Sequence, residues 1–397
     1  MNPQLEAEQA LLGALLLDPR QVESVAGWLE PRHFYRPAHG ALFAVLLAQR
    51  AAGHRSLAAD AGKEERRDWA LQAMAGAAEA SRGFSASYGH SLIAACPRSD
   101  HAASYGRMVL ETAVRRALQE HAHRLLAAAE GGSVEATVEL TGVLRSVIRR
   151  LADIWGAPID ARRRHRLPDP PTTARDERRE RAVLGNEEML LGALVDSPRQ
   201  VAQVAAWLQP ADFADAGHAA LYQAVVALGH RGEPVDPLTA LWEVQRRGAL
   251  AQGVLTVERV RAVCAGGAAA DPEYFGELVL RASLMRSAAT AAGIVRVMAL
   301  DASISATRLL GAAAQVVQPV EEVRSRWAAA NGELPPRPSP VVLQGGRKGA
   351  ALARSSPPAT TAWTNSPLER NRQEAAAPAP RRAAVPDRPP VRSSPPL

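Results

Sequence analysis

The chain has 397 residues, of which 47% are hydrophobic, and this is enough apolar material for two ordinary folded domains. Its two cysteines, Cys96 and Cys264, exclude both a disulfide framework and a four-cysteine zinc site. The formal charge of +6 is unevenly placed: residues 335–397 carry ten basic and three acidic side chains, a net +7, which leaves −1 for residues 1–334. The part of the chain that can fold therefore has no net basic character.

The beginning of the chain lacks the pattern of a secretion signal or a membrane helix. Residues 1–6 include an acid, Glu6, where a signal peptide has basic residues. Uncharged apolar runs such as residues 10–17 and 41–48 are about eight residues long, against the roughly 20 that a membrane-spanning helix needs. We therefore expect a cytoplasmic protein that does not enter a membrane.

The sequence contains an internal duplication. Residues 8–43 align with residues 187–222 at a constant offset of 179, and 19 of these 36 positions are identical. Further along, Gly106 aligns with Gly276 at an offset of about 170. The second copy is therefore about nine residues shorter than the first, a difference that we assign to a loop.

Each copy is predicted to be helical throughout. Alanine is abundant and the alternation typical of strands is absent. Pro19 and Pro37 stand where the first residue of a helix is expected, and Asp236 followed by Pro237 is a typical helix start. We expect helices of about 10–15 residues to follow these signals.

Each copy is predicted to end in a helical hairpin. Residues 105–130 form a long helix that ends at the glycine pair 131–132, and residues 140–154 carry apolar side chains at steps of four and three, as in a coiled coil. The same steps recur in residues 309–327. Pro319 lies inside this last helix and is expected to kink or split it.

These signals divide the chain into four parts. The first copy occupies residues 1–156 and a degenerate second copy occupies residues 185–330. Residues 157–184 contain four prolines and many charges of both signs, which is typical of a linker. Residues 331–397 hold 14 of the 29 prolines and too few apolar residues to offset the entropy of ordering, so we predict a disordered tail. The predicted fold class is all-α, with two tandem small helical bundles.

Three sequence blocks carry a resemblance to a known family. Residues 2–19 read NPQLEAEQALLGALLLDP, residues 34–43 read FYRPAHGALF, and residues 231–236 read RGEPVD. These blocks resemble recurrent blocks of the N-terminal domain of DnaB-type replicative helicases. The resemblance covers residues 2–155 and, less closely, 187–327. It implies a small helical bundle that ends in a hairpin, forms a collar above the motor ring and receives primase and loader proteins.

The sequence departs from that family where the motor should be. A DnaB-type motor needs a phosphate-binding loop, Gly-x4-Gly-Lys-Ser/Thr, whose backbone N–H groups and lysine bind the nucleotide phosphates. The chain has two lysines; Lys63 is followed by glutamate and Lys348 is preceded by arginine, and neither completes the motif. The first copy also departs from the family's third block at residues 54–57. We therefore expect no ATP hydrolysis, no DNA unwinding by this chain alone and no cofactor.

The remaining reactive side chains do not form a catalytic or metal site in the sequence. His39 and His218 occupy equivalent positions in the two copies, and we assign them a structural hydrogen-bonding or packing role. The two histidines of residues 121–123 point to different faces of one helix, so they are poorly placed to share a metal. Cys96 and Cys264 are interpreted as small buried apolar side chains.

Two sets of residues are candidates for binding partners. Several arginines of the first hairpin lie opposite its apolar seam, where a solvated face is the simpler interpretation, and two apolar residues flank the seam. The predicted partner interface comprises Arg115, Arg116, Arg145, Ile148, Arg149, Arg150 and Trp155. The predicted nucleic-acid contacts in the tail are Arg370, Arg372, Arg381, Arg382, Arg388 and Arg392.

Three functions are consistent with these observations. The first is a non-catalytic scaffold or adaptor of DNA replication, which binds a helicase, primase or loader of the primosome through its hairpins and forms homo-oligomers. The second is a regulator whose basic tail binds DNA weakly and without sequence preference. The third is a component of a replicative helicase whose motor is supplied by another chain. The tail has one aromatic residue, Trp363, for stacking on bases, so the scaffold is favoured.

Overall fold

The computed structural model describes residues 2–157, 159, 164–170, 177–266 and 269–330. All regular structure in these ranges is helical, which confirms the predicted fold class for them, and all of them belong to one compact unit, Met1–Pro340. The predicted disordered tail, residues 331–397, and residues 158, 160–163 and 171–176 of the predicted linker lie outside the described residues.

The first copy contains six of the α-helices and the second copy contains seven. The α-helices of the described residues are α1 (Pro3–Leu17), α2 (Pro37–Ala51), α3 (Lys63–Ala80), α4 (Ala86–Ala94), α5 (Ala102–Gly131), α6 (Val134–Trp155), α7 (Glu177–Asp196), α8 (Val201–Ala205), α9 (Ala216–Arg231), α10 (Pro237–Arg246), α11 (Val257–Ala265), α12 (Pro272–Leu300) and α13 (Ala306–Ala330). Short 3-10 helices connect several of them.

Both predicted hairpins are present, the first made of α5 and α6 and the second of α12 and α13. Gly132, between α5 and α6, has a φ of +76°, a left-handed conformation that favours glycine. The Ser133 hydroxyl then caps α6 by accepting a hydrogen bond from the N–H of Ala136 at 3.3 Å. Helix α13 continues through Pro319, so of the two outcomes expected for this proline, a kink or a split, the split does not occur. This proline lies on the exposed side of the helix, where water can bind the carbonyl that proline leaves without a donor.

We expected the nine-residue difference between the copies to lie in a loop. The structure shows that it also changes the length of a helix. Helix α3 has 18 residues, whereas its counterpart α10 has ten. The longer α3 carries Trp69, which is fully buried and donates its indole N–H to the carbonyl of Leu15 at 2.9 Å. The two copies thus build their heads, the parts that precede the hairpins, with helices of different length.

Two further sequence predictions were wrong in detail. The segment after Pro19 is a six-residue 3-10 helix, Pro19–Ser24, instead of a helix of 10–15 residues, because it turns tightly to bury Val22 and Val25 beside α5. Residues 177–184, which we assigned to the linker, form the first turns of α7. Acidic residues in the first turn of a helix, here Glu177 and Glu180, favour this start.

Helix α12 has the length and composition of a membrane-spanning helix, but 61% of its most apolar stretch is buried inside the protein. It packs against α5, α7 and α13. Such burial is the behaviour of a central core helix, so its hydropathy is explained by the contacts that it makes.

One repeated glycine has a clear steric reason. Gly106 of α5 and Gly276 of α12 lie under equivalent tryptophans: an added Cβ would be 2.8 Å from the Cη2 atom of Trp28 and 2.6 Å from that of Trp207. Each head therefore packs its tryptophan directly on the backbone of its own hairpin helix. The identity of this glycine in both copies follows from that contact.

We expect Gly106→Ala and Gly276→Ala each to reduce the free energy of unfolding by about 1–3 kcal/mol, because the indole must move away from the new methyl group. Urea unfolding followed by circular dichroism measures this loss. Gly142→Ala in α6 is the control, since a Cβ at that position meets nothing within 4 Å. The control should gain up to about 1 kcal/mol from helix propensity, and an equal loss in all three variants would contradict the steric explanation.

Candidate partner-binding surface

The two hairpins pack against each other within the chain. α5 contacts α12 and α6 contacts α13, so the four helices form one bundle between the two heads. A single apolar core extends from Val114 of the first hairpin through the whole second copy, whereas the first head has a separate core. The apolar face of each hairpin, for which the sequence pattern indicates no partner, is therefore covered by the other hairpin.

The two long helices of this bundle, α5 and α12, run antiparallel. An arginine of each helix donates a hydrogen bond to a backbone carbonyl at the end of the other. From the middle of α5, the Arg115 guanidinium donates to the carbonyl of Asp301, 2.7 Å away and just beyond the end of α12. At the other end, Arg281 of α12 donates to the carbonyl of Gly132, just beyond the end of α5, at 3.0 Å. Carbonyls at helix ends lack intrahelical donors, so these arginines stabilise both ends.

The predicted partner residues that face the second copy bind it in several ways. Trp155 donates its indole N–H to the Thr307 hydroxyl at 3.0 Å, and Arg145 forms an ion pair with Glu321 at 2.8 Å. Ile148 is 1% exposed and belongs to the shared core. Together with Arg115, these residues form the contact between the two copies, so in the folded chain the greater part of the predicted surface is already in use.

The other predicted partner residues connect the first hairpin to its own head or remain exposed. Arg116 donates to the carbonyl of His33 at 3.0 Å, and Arg150 pairs with Glu30 at 3.1 Å. Arg149 is exposed. Arg145 and Arg150 are also exposed although each forms an ion pair, so the solvated face that we considered applies to these two arginines as well as to Arg149. The six arginines predicted to contact nucleic acid, Arg370 to Arg392, lie outside the described residues.

A buried Glu–His pair occurs in both heads. In the first head, Glu8 accepts from Nδ1 of His39 at 2.7 Å and from the backbone N–H groups that precede α2. In the second head, Glu187 accepts from Nδ1 of His218 at 2.8 Å and from the N–H groups that precede α9. Each carboxylate therefore joins the first helix of its copy to the start of a second helix.

These contacts give His39 and His218 a structural role, as the sequence analysis predicted. The outer nitrogen of each ring is also occupied: Nε2 of His39 lies 2.7 Å from the Tyr88 hydroxyl, and Nε2 of His218 accepts from Arg259 at 3.2 Å. The apolar pattern of the sequence does not reveal the glutamates, although the identity of Glu8 and Glu187 at the repeat offset is a signal that could have identified them.

The two thiols and the other potential metal ligands of the described residues lie outside these pairs. Within the described residues, no group of three or more histidine, cysteine or acidic side chains could hold a metal ion. Cys264 is buried, and burial raises the pKa of its thiol to about 11; burial also raises the pKa of Cys96. Both thiols are therefore weak nucleophiles at neutral pH.

The position equivalent to Asp212 in the first head is His33. Both side chains accept a hydrogen bond from the backbone N–H of the residue three positions earlier. His33 Nδ1 accepts the N–H of Glu30 at 3.0 Å, and Asp212 accepts the N–H of Gln209 at 2.7 Å. His33 is 4% exposed, and burial lowers its pKa from 6.5 to about 4. In the folded protein this imidazole therefore stays neutral at a pH where the unfolded chain would protonate it.

This difference predicts a pH-dependent stability. Because unfolded His33 binds a proton below pH 6.5 and folded His33 does so only near pH 4, we expect the free energy of unfolding to fall by about 3 kcal/mol as the pH decreases across that window. His33→Asp copies the second head, keeps the acceptor and should lose this decrease. Urea unfolding at several pH values between 7 and 4 measures both proteins, and equal pH dependence would contradict the assignment.

Comparison with known proteins agrees with the duplicated architecture. The DnaB-like helicase N terminal domain family matches residues 1–111 and again residues 179–271, together just over half of the chain. The chain is 32% identical over 139 residues to the replicative DNA helicase DnaB of Mycobacterium leprae. The matched region covers 34% of this chain and 22% of that protein. It is 30% identical over 153 residues to the replicative DNA helicase DnaB of Treponema pallidum. That matched region covers 38% of this chain and 32% of that protein. The chain thus spans a third or less of the length of these relatives, and it belongs to the family of DnaB-like helicase N-terminal domains, which it matches in two successive segments.

Proposed function

We propose that this chain is a non-catalytic scaffold of DNA replication, in which two collar-type domains are joined into one rigid body that binds a helicase, primase or loader. The observation that supports it most is the shared core of the two hairpins, with Ile148 buried between the copies. A collar that pairs within one chain can present two heads at a fixed spacing without a second chain.

The absence of catalysis is part of the same proposal. The sequence contains no Gly-x4-Gly-Lys-Ser/Thr motif, and its two lysines, Lys63 and Lys348, lie in other contexts. Purified protein should hydrolyse no ATP above background. Turnover that co-purifies with the chain and persists in a variant lacking both lysines would contradict the proposal.

The test of the scaffold function is binding to the replication proteins of the same organism. The full chain should form a complex with at least one of the purified replicative helicase, primase or helicase loader, as measured by sedimentation velocity. Homo-oligomers are part of the proposal as well, but since the hairpins are covered internally, any contact between chains should use the heads. No complex with any of the three proteins would refute the scaffold function.

The basic tail supports a second candidate, a regulator that binds DNA. Its ten basic residues could neutralise several phosphates, and affinity would then fall by on the order of a thousandfold between 50 and 200 mM salt if about six contacts form. We expect full-length protein to bind duplex and single-stranded DNA weakly, and a 1–334 protein to lose most of that binding. Tight binding by the shorter protein with a shallow salt dependence would show that the helical part itself contacts nucleic acid.

A further inference from the structure

Part of the segment that connects the two copies packs against the second hairpin. The backbone N–H of His165 donates to the Gln315 side chain of α13 at 2.8 Å. Leu167 is half-buried and packs against the shared core. Gly311 of α13 makes room for this contact, since an added Cβ would be 2.5 Å from Nε2 of His165. The connecting segment therefore docks at a site on α13 that includes Gly311 and Gln315.

The first hairpin has the equivalent site on α6. The apolar steps of the two hairpins align at an offset of 169, so Gly142 is the counterpart of Gly311, and Ser146 is the counterpart of Gln315. Gly142 lies in the interior of α6, where glycine costs about 1 kcal/mol relative to alanine. A Cβ at Gly142 meets no described atom within 4 Å. The described residues thus give a steric reason for the glycine of α13 but none for the glycine of α6.

The α6 site is more exposed than its counterpart on α13. Ser146 is exposed, whereas Gln315 is half-buried. Val143, next to Gly142, is 36% exposed, whereas its counterpart Ala312 is fully buried. The α6 site therefore offers space and an apolar contact that no described residue uses.

The sequence contains a second version of the docked segment. Residues 167–171 read LPDPP and residues 334–338 read LPPRP, with identity at three of five positions. The first segment begins 13 residues after Ile154 and the second 11 residues after Val323, which are equivalent residues of the two seams. The duplication thus extends beyond the hairpins, and a Leu-Pro segment follows each of them.

We propose that Leu334 and Pro335 dock on α6 at Gly142, as the segment around Leu167 docks on α13 at Gly311. The segment that follows each hairpin then covers the other hairpin. This exchange adds a second pair of contacts between the copies. The inference concerns the chain alone and goes beyond the proposed scaffold function.

The segment after α13 is long enough to reach this site. Helices α6 and α13 run antiparallel, as two contacts show, Arg145 with Glu321 and Trp155 with Thr307. Gly142 therefore lies beside the turn of α13 around Arg324. From this turn to Gly142's distance from the helix end at Ala330 is about 9 Å along the axis and about 9 Å across to α6, or about 13 Å in all. Residues 331–334 span up to about 14 Å when extended, so Leu334 can reach the site.

Connectivity and charge favour this segment over other occupants. A short connection holds a segment near its site at an effective concentration in the millimolar range, which a separate molecule at micromolar concentration does not reach. Residues 331–336 carry one charge, the carboxylate of Glu333. Arg145 and Arg149 are exposed on α6 near Gly142, so the charges of the segment and the site are opposite.

The test measures how fast a neutral maleimide modifies Ser146→Cys in the full-length chain, by mass spectrometry of its peptides. At a millimolar effective concentration, a segment of about 0.1 mM affinity occupies its site about nine-tenths of the time, so we expect Leu334→Asp to increase the rate about tenfold. Leu343→Asp, the same substitution further along the tail, is the control and should leave the rate unchanged. Gln315→Cys gives the rate of a cysteine at the covered site on α13. The buried Cys264 should stay unmodified in every variant, which shows that the fold is intact.

A cross-link identifies the segment and the chain to which it belongs. In a protein with Ser146→Cys and Pro336→Cys, mild oxidation should form a disulfide within one chain. When isotope-labelled and unlabelled proteins are mixed, the two linked peptides should both be labelled or both be unlabelled. Linked peptides of mixed label would assign the site to the tail of a second copy and overturn the proposal.

Two further results would contradict the proposal. One is an unchanged modification rate in Leu334→Asp, and the other is an equal increase in Leu334→Asp and Leu343→Asp. Docking by one short segment is a local equilibrium that is lost before the bundle unfolds in urea, so Gly142→Ala remains a valid control for unfolding. No other replication protein takes part in these measurements, so their outcome is independent of whether a helicase, primase or loader binds the chain.

Discussion

Replacing Glu187 by alanine is expected to destabilise the protein by about 3–5 kcal/mol, because it leaves several buried hydrogen-bond donors without their acceptor. The carboxylate is fully buried and accepts from His218 at 2.8 Å and from the N–H of Asp215 at 3.4 Å. Its loss leaves these donors buried without an acceptor, and it also removes the link between α7 and the start of α9. The midpoint and slope of urea unfolding measure the change.

Its neighbour in the sequence provides the control. Glu188 is 50% exposed and lies 3.6 Å from Nε2 of His218, so Glu188→Ala should cost less than about 1 kcal/mol. A double-mutant cycle with His218→Ala should show strong coupling to Glu187 and little to Glu188. Equal losses for the two glutamates would mean that the buried network does not determine the stability of the second head.

The second large effect is expected at the contact between the copies. Ile148→Asp would bury a carboxylate in the core shared by the two hairpins, at a cost of about 4 kcal/mol or more, since such a group has no counter-charge there. Either the variant unfolds at much lower denaturant concentration or the two hairpins separate. Hydrogen exchange should then show early loss of protection in α6 and α13 together.

Val143→Asp is the matched control on the same helix. Val143 is 36% exposed, so a carboxylate at this position stays in water and should change the unfolding midpoint little. If Ile148→Asp were as stable as Val143→Asp, the hairpin contact would not be the strong interface that its burial indicates.

The hairpins could be predicted from the sequence because their signals are local. The apolar steps of α6 and α13, and the glycine and serine between α5 and α6, act over a few residues and specify helices and their ends. The partner of each hairpin is a different matter. Apolar residues such as Ile148 and Trp155 indicate that a neighbour is required, but the pattern is the same whether that neighbour is in the same chain or in another.

The differences between the predicted and the observed helices have a common physical origin. Local propensity allowed a split at Pro319 and a longer helix after Pro19, whereas buried neighbours such as Val316 and Val22 determine the conformation of both segments. Tertiary packing overrides propensity in this way when a helix face is buried. The glutamate pairs were missed because a buried charge is invisible to an apolar pattern, and only its repetition at Glu8 and Glu187 marks it.

The central claim is that the two copies form one body through their hairpins, and cutting the chain between them tests it most directly. A protease site placed between residues 170 and 177 of the full chain would allow cleavage after folding, and sedimentation velocity would then show whether the halves separate. The shared core predicts that the halves stay together as a single one-to-one particle at low micromolar concentration, and that Ile148→Asp releases them. Separation of the unmutated halves after the cut would contradict the account.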